Sequence, residues 1–144
     1  MTEITQIARL AMPPPISTNG LYRNVPGAGR VVTRKYAAWK RLAAQYLSAQ
    51  GPLPTFSVPV TVLVYVGETD VGAMDSDNTL KAYLDALKEF GVIVDDNRKW
   101  VRGSAARWVQ GLRGAVVVVE ETGGELTSAY AIRDTAPLAR GLLS

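Results

Sequence analysis

The sequence predicts a single α/β domain, α+β-like in layout, in which a mixed β-sheet carries two main helices in the order β-α-β-α-β-β. Three observations predict it. The chain has 144 residues, the usual length of one domain. Its 47% hydrophobic and 20% charged residues suffice to bury a core. Runs rich in β-branched residues alternate with two stretches of helical periodicity. Residues 1–121 form the expected domain. Residues 122–144 have weak periodicity and form an expected tail, either disordered or wrapped on a partner.

Residues 4–11 (ITQIARLA) read as the first strand. The segment from Met12 to Asn19 stops it, because Pro13, Pro14 and Pro15 cannot donate to a ladder and favour an extended conformation. Residues 20–33 read as a mobile Gly-rich loop carrying Arg23 and Arg30. A helix follows from Thr33, a suitable N-cap, to Gln50, with Tyr36, Trp39, Ala43 and Leu47 at helical spacing. Residues 51–56 are a turn. Residues 57–66 (SVPVTVLVYV) are a buried strand with Pro59 near its start or at an edge.

Residues 67–74 form a loop into an acidic segment, where Asp75 or Asp77 is the expected cap of a helix from Asn78 to Phe90. Leu80, Leu84 and Leu87 make its apolar stripe, and Gly91 takes the C-terminal glycine position. Val92–Val94 is a short strand into the turn Asp95-Asp96-Asn97. Residues 98–109 and 114–121 read as a hairpin, in which Ala115–Val119 (AVVVV) is the clearest strand of the chain. Trp39, Trp100 and Trp108 read as core or dimer-interface packing ahead of a role in stacking on bases or wedging a duplex open.

Composition excludes much chemistry. The chain has no Cys and no His. Disulfides, thiolate metal sites, Cys nucleophiles, Ser-His-Asp triads and His-ligated zinc are therefore all ruled out. Catalysis must run on carboxylates, Lys, Tyr or Ser, and any metal must be held by oxygen, which favours magnesium or manganese. No run of roughly 18 apolar residues occurs. The N-terminus shows no basic region leading into a long apolar run, so no signal peptide is expected and the cytoplasm is the default location.

Charge is unevenly distributed. Residues 1–50 carry seven basic residues and one acid, residues 51–100 four and eight, and residues 101–144 five and four. A basic first third beside an acidic middle suits an enzyme that holds a cation with its acids and a polyanion with its bases, although ordinary surface variation gives the same pattern.

The acidic middle has a specific arrangement. Asp75 and Asp77 are two apart in an extended stretch and share a side. Asp77 and Lys81 are four apart at a helix start and share a face. The helix and Gly91 then allow Asp95 and Asp96 to return beside Asp75 and Asp77. Carboxylates gathered in this way repel unless a divalent cation neutralises them. Such an ion, held with substrate phosphate oxygens, activates water, and Lys81 is placed to stabilise charge on phosphorus or to orient the water. Each part also has a bland reading: Asp-Ser-Asp-Asn is good capping chemistry and Asp95-Asp96-Asn97 is a good turn.

At these residues the sequence resembles the RusA-type Holliday junction resolvases of bacteria and their phages. The shared pattern is Pro14-Pro15-Ile16-Ser17-Thr18-Asn19, Tyr22-Arg23, Asp75-Ser76-Asp77-Asn78-Thr79-Leu80-Lys81, Asp85-Ala86-Leu87 and Asp95-Asp96. It covers roughly residues 4–121. The resemblance implies a homodimer that binds four-way DNA junctions and makes symmetric nicks with magnesium, for which manganese would substitute. It places the metal-binding and catalytic carboxylates on Asp75, Asp77 and Asp96, the essential lysine on Lys81, and a less defined metal role on Asp95. It also assigns Asn19, Tyr22 and Arg23 to DNA contact. Family members often carry arginines just before the first Asp, whereas Glu68–Met74 here has no basic residue. Arg23, Arg30, Arg34, Lys35, Lys40 and Arg41 then supply most of the grip on DNA. Two rival readings are a DNA-binding protein with a vestigial site and a DxD metal-dependent transferase. The transferase predicts a nucleotide pocket, yet the chain has neither a P-loop nor a Rossmann fingerprint.

Overall fold

The computed structural model describes residues 6–17, 21–68 and 79–122. Among these, six strands and two helices occur: β1 (Ile7–Met12), β2 (Tyr22–Val25), β3 (Gly29–Val32), α1 (Arg34–Ala49), β4 (Val60–Gly67), α2 (Leu80–Phe90), β5 (Val101–Val109) and β6 (Ala115–Glu121). The α+β domain with a mixed sheet and two helices is as the sequence predicts.

β1, β6, β4 and β5 form one sheet in that order. β4 pairs in parallel with β5 and antiparallel with β6, and β6 pairs antiparallel with β1. The expected hairpin of residues 98–109 with 114–121 is therefore corrected. Both strands exist, but β4 lies between them. Residues 110–114 cross two strand spacings, about 10 Å, instead of closing a tight turn. The parallel β4–β5 pair needs a long crossover, which α2 supplies. Local turn residues could not reveal a strand inserted from fifty residues upstream.

Period-2 alternation sets which face each strand buries. Ala8, Leu10 and Met12 of β1, Val60, Val62, Val64 and Val66 of β4, and Ala115, Val117 and Val119 of β6 all join the core. They pack with Tyr36, Trp39, Ala43 and Leu47 of α1 and with Ala82, Tyr83, Ala86 and Leu87 of α2. The intervening residues line the other face, where Ile7, Arg9, Leu63, Tyr65, Val116, Val118 and Glu120 border a shallow depression.

α1 starts where expected: Thr33 accepts a hydrogen bond from the Tyr36 amide at 3.1 Å. Among the described residues α2 runs from Leu80, preceded by Thr79, and the expected caps Asp75 and Asp77 lie outside them. Its buried face centres on Tyr83, Ala86 and Leu87, with Leu80 and Leu84 at its margin. Gly91 ends the helix at φ +94°, and the amides of Gly91 and Val92 close onto the Leu87 carbonyl. The expected strand Val92–Val94 reduces to a single parallel bridge between Ile93 and Phe56.

The Gly-rich segment 20–33 is the largest correction. It is not a mobile loop: β2 and β3 form a two-stranded antiparallel hairpin. Val25-Pro26-Gly27-Ala28 makes its turn, closed by the Ala28 amide on the Val25 carbonyl at 3.0 Å. Proline pre-sets φ at the second position, and Gly27 supplies φ +81° at the third. The Pro-Gly pair between two short β-compatible runs is the local signal for this hairpin.

The proline segment is also anchored. Prolines cannot donate, but their carbonyls accept from both helices. Tyr83 donates its hydroxyl to the Pro13 carbonyl at 2.8 Å, and Trp39 donates Nε1 to the Pro14 carbonyl at 2.7 Å. Trp39 is thereby a core residue, consistent with its expected packing role; Trp108 is partly buried against the same core.

Candidate active site

Lys81 lies on the first turn of α2 and is the centre of the charged cluster. Its Nζ donates to Asp85 Oδ1 at 3.1 Å and to Asp96 Oδ2 at 3.4 Å. The first contact is the helical i,i+4 pair. The second joins residues fifteen apart in sequence, because the chain turns at Gly91 and runs back to Lys81. The chain after Gly91 thus brings Asp96 to Lys81, while the expected return beside Asp75 and Asp77 involves residues outside those described. Burial lowers the pKa of the Lys81 ammonium, but the hydrogen bond to Asp85 and the charges of Asp85 and Asp96 outweigh it, so the group is held above the ordinary lysine value.

Asp85 is buried, with its other oxygen also engaged: Tyr36 of α1 donates its hydroxyl to Asp85 Oδ2 at 2.5 Å. Burial, then this hydrogen bond, raises the Tyr36 pKa well above its usual range. Tyr36 therefore stays a donor.

Asp95 sits differently from its neighbour. Its Oδ1 is 3.0 Å from Lys88 Nζ and accepts the Asp96 amide at 2.7 Å. Its Oδ2 accepts from the Asn97 side chain at 3.3 Å. The hydrogen bond from Lys88, and after it that from the Asp96 amide, hold the Asp95 carboxyl below the usual carboxylate range. Asn97 carries the turn onward, since its Oδ1 accepts the Lys99 amide at 3.0 Å. The Asp95 carboxylate thus organises the turn that presents Asp96.

The β2–β3 hairpin borders this cluster. Tyr22 stands edge-on to Tyr36 at 6.0 Å between ring centroids, and the Arg30 guanidinium lies 4.0 Å over the Tyr22 ring. Arg23, Arg30, Arg34 and Lys35 are exposed. Lys40 is engaged elsewhere: its Nζ pairs with Glu89 at 2.9 Å and lies 4.5 Å over the Tyr36 ring, tying α1 to α2.

Asn19, Asp75 and Asp77 lie outside the described residues. The segment carrying the two aspartates joins β4 to α2. Among the described residues no group of three or more carboxylates is placed to hold a metal ion. The sequence motif includes Asp85 without giving it a role, and Tyr36 reads there only as part of an apolar stripe. The i,i+4 spacing from Lys81 is the available signal for Asp85.

The cluster lies within a stretch of the chain that matches a known family. The sequence profile described as Endodeoxyribonuclease RusA matches residues 11–120. The chain belongs to the RusA endodeoxyribonuclease family. A comparison with curated proteins finds no match. The match runs from the end of β1 nearly to the end of β6, so it takes in the RusA sheet core, both helices and the Lys81 cluster. Membership in the RusA family gives the coarse activity, endodeoxyribonuclease action on Holliday junctions.

Proposed function

We propose that this chain is a magnesium-dependent endodeoxyribonuclease that resolves four-way DNA junctions by paired nicks, acting in recombination and repair as a homodimer in the cytoplasm. The observation that carries this reading is the meeting of Lys81 and Asp96 at 3.4 Å. In sequence the DxDN segment stands just ahead of Lys81, and on this reading Asp75 and Asp77 come to the same place.

The donor chemistry fits a hard cation. With no His or Cys in the chain, oxygen is the only donor type on offer, and the Asp96 side chain keeps partial exposure at 24%. Asp75, Asp77 and Asp96 would hold the ion, with Asp95 completing or orienting that set. The chemistry such an ion supplies when bound is activation of water and neutralisation of phosphate charge. The chain's own groups do the rest. The Lys81 ammonium faces charge developing on the phosphate oxygens. Arg23, Arg30, Arg34 and Lys35, with Tyr22 and Asn19, hold the flanking backbone. A two-fold dimer would address two opposed strands of a junction together.

The decisive experiment titrates magnesium, with manganese in parallel, against cleavage of junction, fork, duplex and single-stranded DNA. Junction cleavage in paired strands that disappears with EDTA is the expected result, together with loss of cleavage but not of binding in Asp77→Asn. Junction binding with no cleavage at any metal concentration would overturn the nuclease reading in favour of a binding protein. Sedimentation of the free protein tests the dimer.

A further inference from the structure

We infer that Asp85 is a positioning residue for Lys81, braced from α1 by the hydroxyl of Tyr36. The inference deepens the proposed nuclease reading and rests on it.

Lys81 ends a long flexible stem, and its side chain is 44% exposed. Left alone, its ammonium would sample water in many rotamers. Among the described residues two carboxylates restrain it. The Asp96 contact is the longer, and Asp96 is the one that the proposed reading gives to the cation. Once that carboxylate is engaged, its hold on Lys81 weakens. Asp85 has no such competing duty. It is only 9% exposed, Lys81 occupies one oxygen and Tyr36 the other. The Tyr36 ring is fully buried between Tyr22 and Trp39, so the hydroxyl is a fixed donor and Asp85 cannot swing away. A buried carboxylate is a poor device for stability alone, because its desolvation offsets much of what its partners return. Its placement makes sense as an anchor that keeps the ammonium in place whether or not Asp96 is otherwise engaged.

The test has two arms. In metal-free protein, nitrogen-15 NMR of the lysine ammonium groups reads Lys81 directly. A slowly exchanging Lys81 signal is expected in the wild type, and its loss to solvent exchange in Asp85→Asn. The second arm is single-turnover junction cleavage. Asp85→Asn should lower the rate about tenfold or more, the scale of one lost charge-assisted hydrogen bond, with junction affinity unchanged. Tyr36→Phe should lower it roughly three- to tenfold, and Asp85→Glu should recover part of the loss. In a Lys81→Ala background, Asp85→Asn should cost nothing more, because Asp85 acts through Lys81. A merely structural residue would cost activity in both backgrounds, and that additivity would overturn the inference. So would a freely exchanging Lys81 ammonium in the wild type. If the wild type cleaves no junction, the nuclease reading fails, and the NMR arm still decides whether Asp85 holds Lys81.

Discussion

Tyr83 of α2 donates its hydroxyl to the carbonyl of Pro13 at 2.8 Å, and this one bond fixes the proline segment to the helix that carries Lys81. The Tyr83 ring also stands edge-on to Trp39 of α1 at 5.2 Å. Burial raises the Tyr83 pKa, as burial and the Asp85 hydrogen bond raise that of Tyr36, both from an ordinary value of 10.0. The sign follows from linkage. A group whose folded pKa lies above its unfolded value contributes stability that is fully present below the unfolded value and is lost as pH rises through the folded one. Stability is therefore expected to fall above about pH 10. Absorbance titration of the phenolates checks this. Of the six tyrosines, Tyr36 and Tyr83 should ionise only with unfolding, and Tyr83→Phe should flatten the alkaline loss. Ionisation of all six before any change in circular dichroism would contradict the buried placement.

Gly67 closes β4 immediately before the acidic segment. A Cβ built there would lie 2.0 Å from the Leu112 carbonyl oxygen and 2.7 Å from its carbon. The neighbour is backbone, which cannot rotate aside, and the Gly67 amide is already bonded to the Gly114 carbonyl at 2.8 Å. Gly67→Ala should destabilise the domain by at least about 2 kcal/mol, or roughly 8 °C in melting temperature. Gly103→Ala is the control, since its Cβ would meet only a Thr61 methyl group at 4.0 Å. Equal melting temperatures for the two variants would show that the β4 end is not packed against residues 112–114.

What the sequence disclosed, and what it withheld, divides by range. Local chemistry was legible: Thr33 caps α1, Gly91 ends α2, and the valines of β4 and β6 alternate as strands should. Long-range pairing was not. Nothing near Gln110 says that β4 separates β5 from β6, because strand order depends on partners far along the chain. The β2–β3 hairpin was hidden by its glycines, which read as mobility until Pro26-Gly27 is taken as a turn. At the site, Gly91 marked where the chain turns back after α2, and the turn brings Asp96 to Lys81. The roles of Asp85 and Tyr36 did not show, since Tyr36 looks apolar in a helical stripe and its partner is 49 residues away.

The Arg30 guanidinium is stacked on the Tyr22 ring at 4.0 Å, which restrains the side chain proposed to contact DNA. Asn24 is its direct cross-strand partner, and Tyr22 its diagonal neighbour on the same face of the hairpin. A phosphate contact made by Arg30 adds counterion release but no chemistry. Arg30→Ala should weaken junction binding and reduce the slope of log affinity against log salt by about one. Cleavage at saturating enzyme should be unchanged. Fluorescence anisotropy across a salt series measures the slope, and an unaltered slope would remove Arg30 from the interface.

Asp95 and Asp96 are adjacent yet differently committed, so their substitutions should part company. The Asp95 oxygens are taken up by Lys88, the Asp96 amide and Asn97, whereas among the described residues Asp96 Oδ2 meets the Lys81 ammonium. Asp96→Asn removes a carboxylate proposed to hold the cation directly, and no excess of magnesium should restore cleavage. Asp95→Ala instead loosens the turn that aims Asp96. Losses of about tenfold or more are typical when a residue that orients a ligand is removed. Because all three proposed ligands remain in Asp95→Ala, raising the magnesium concentration should recover much of its rate. Single-turnover rates over a magnesium series for both variants provide the comparison. An Asp95→Ala enzyme as dead as Asp96→Asn at every magnesium concentration would make Asp95 a ligand in its own right, and the bond to Lys88 would then have to open when the cation binds.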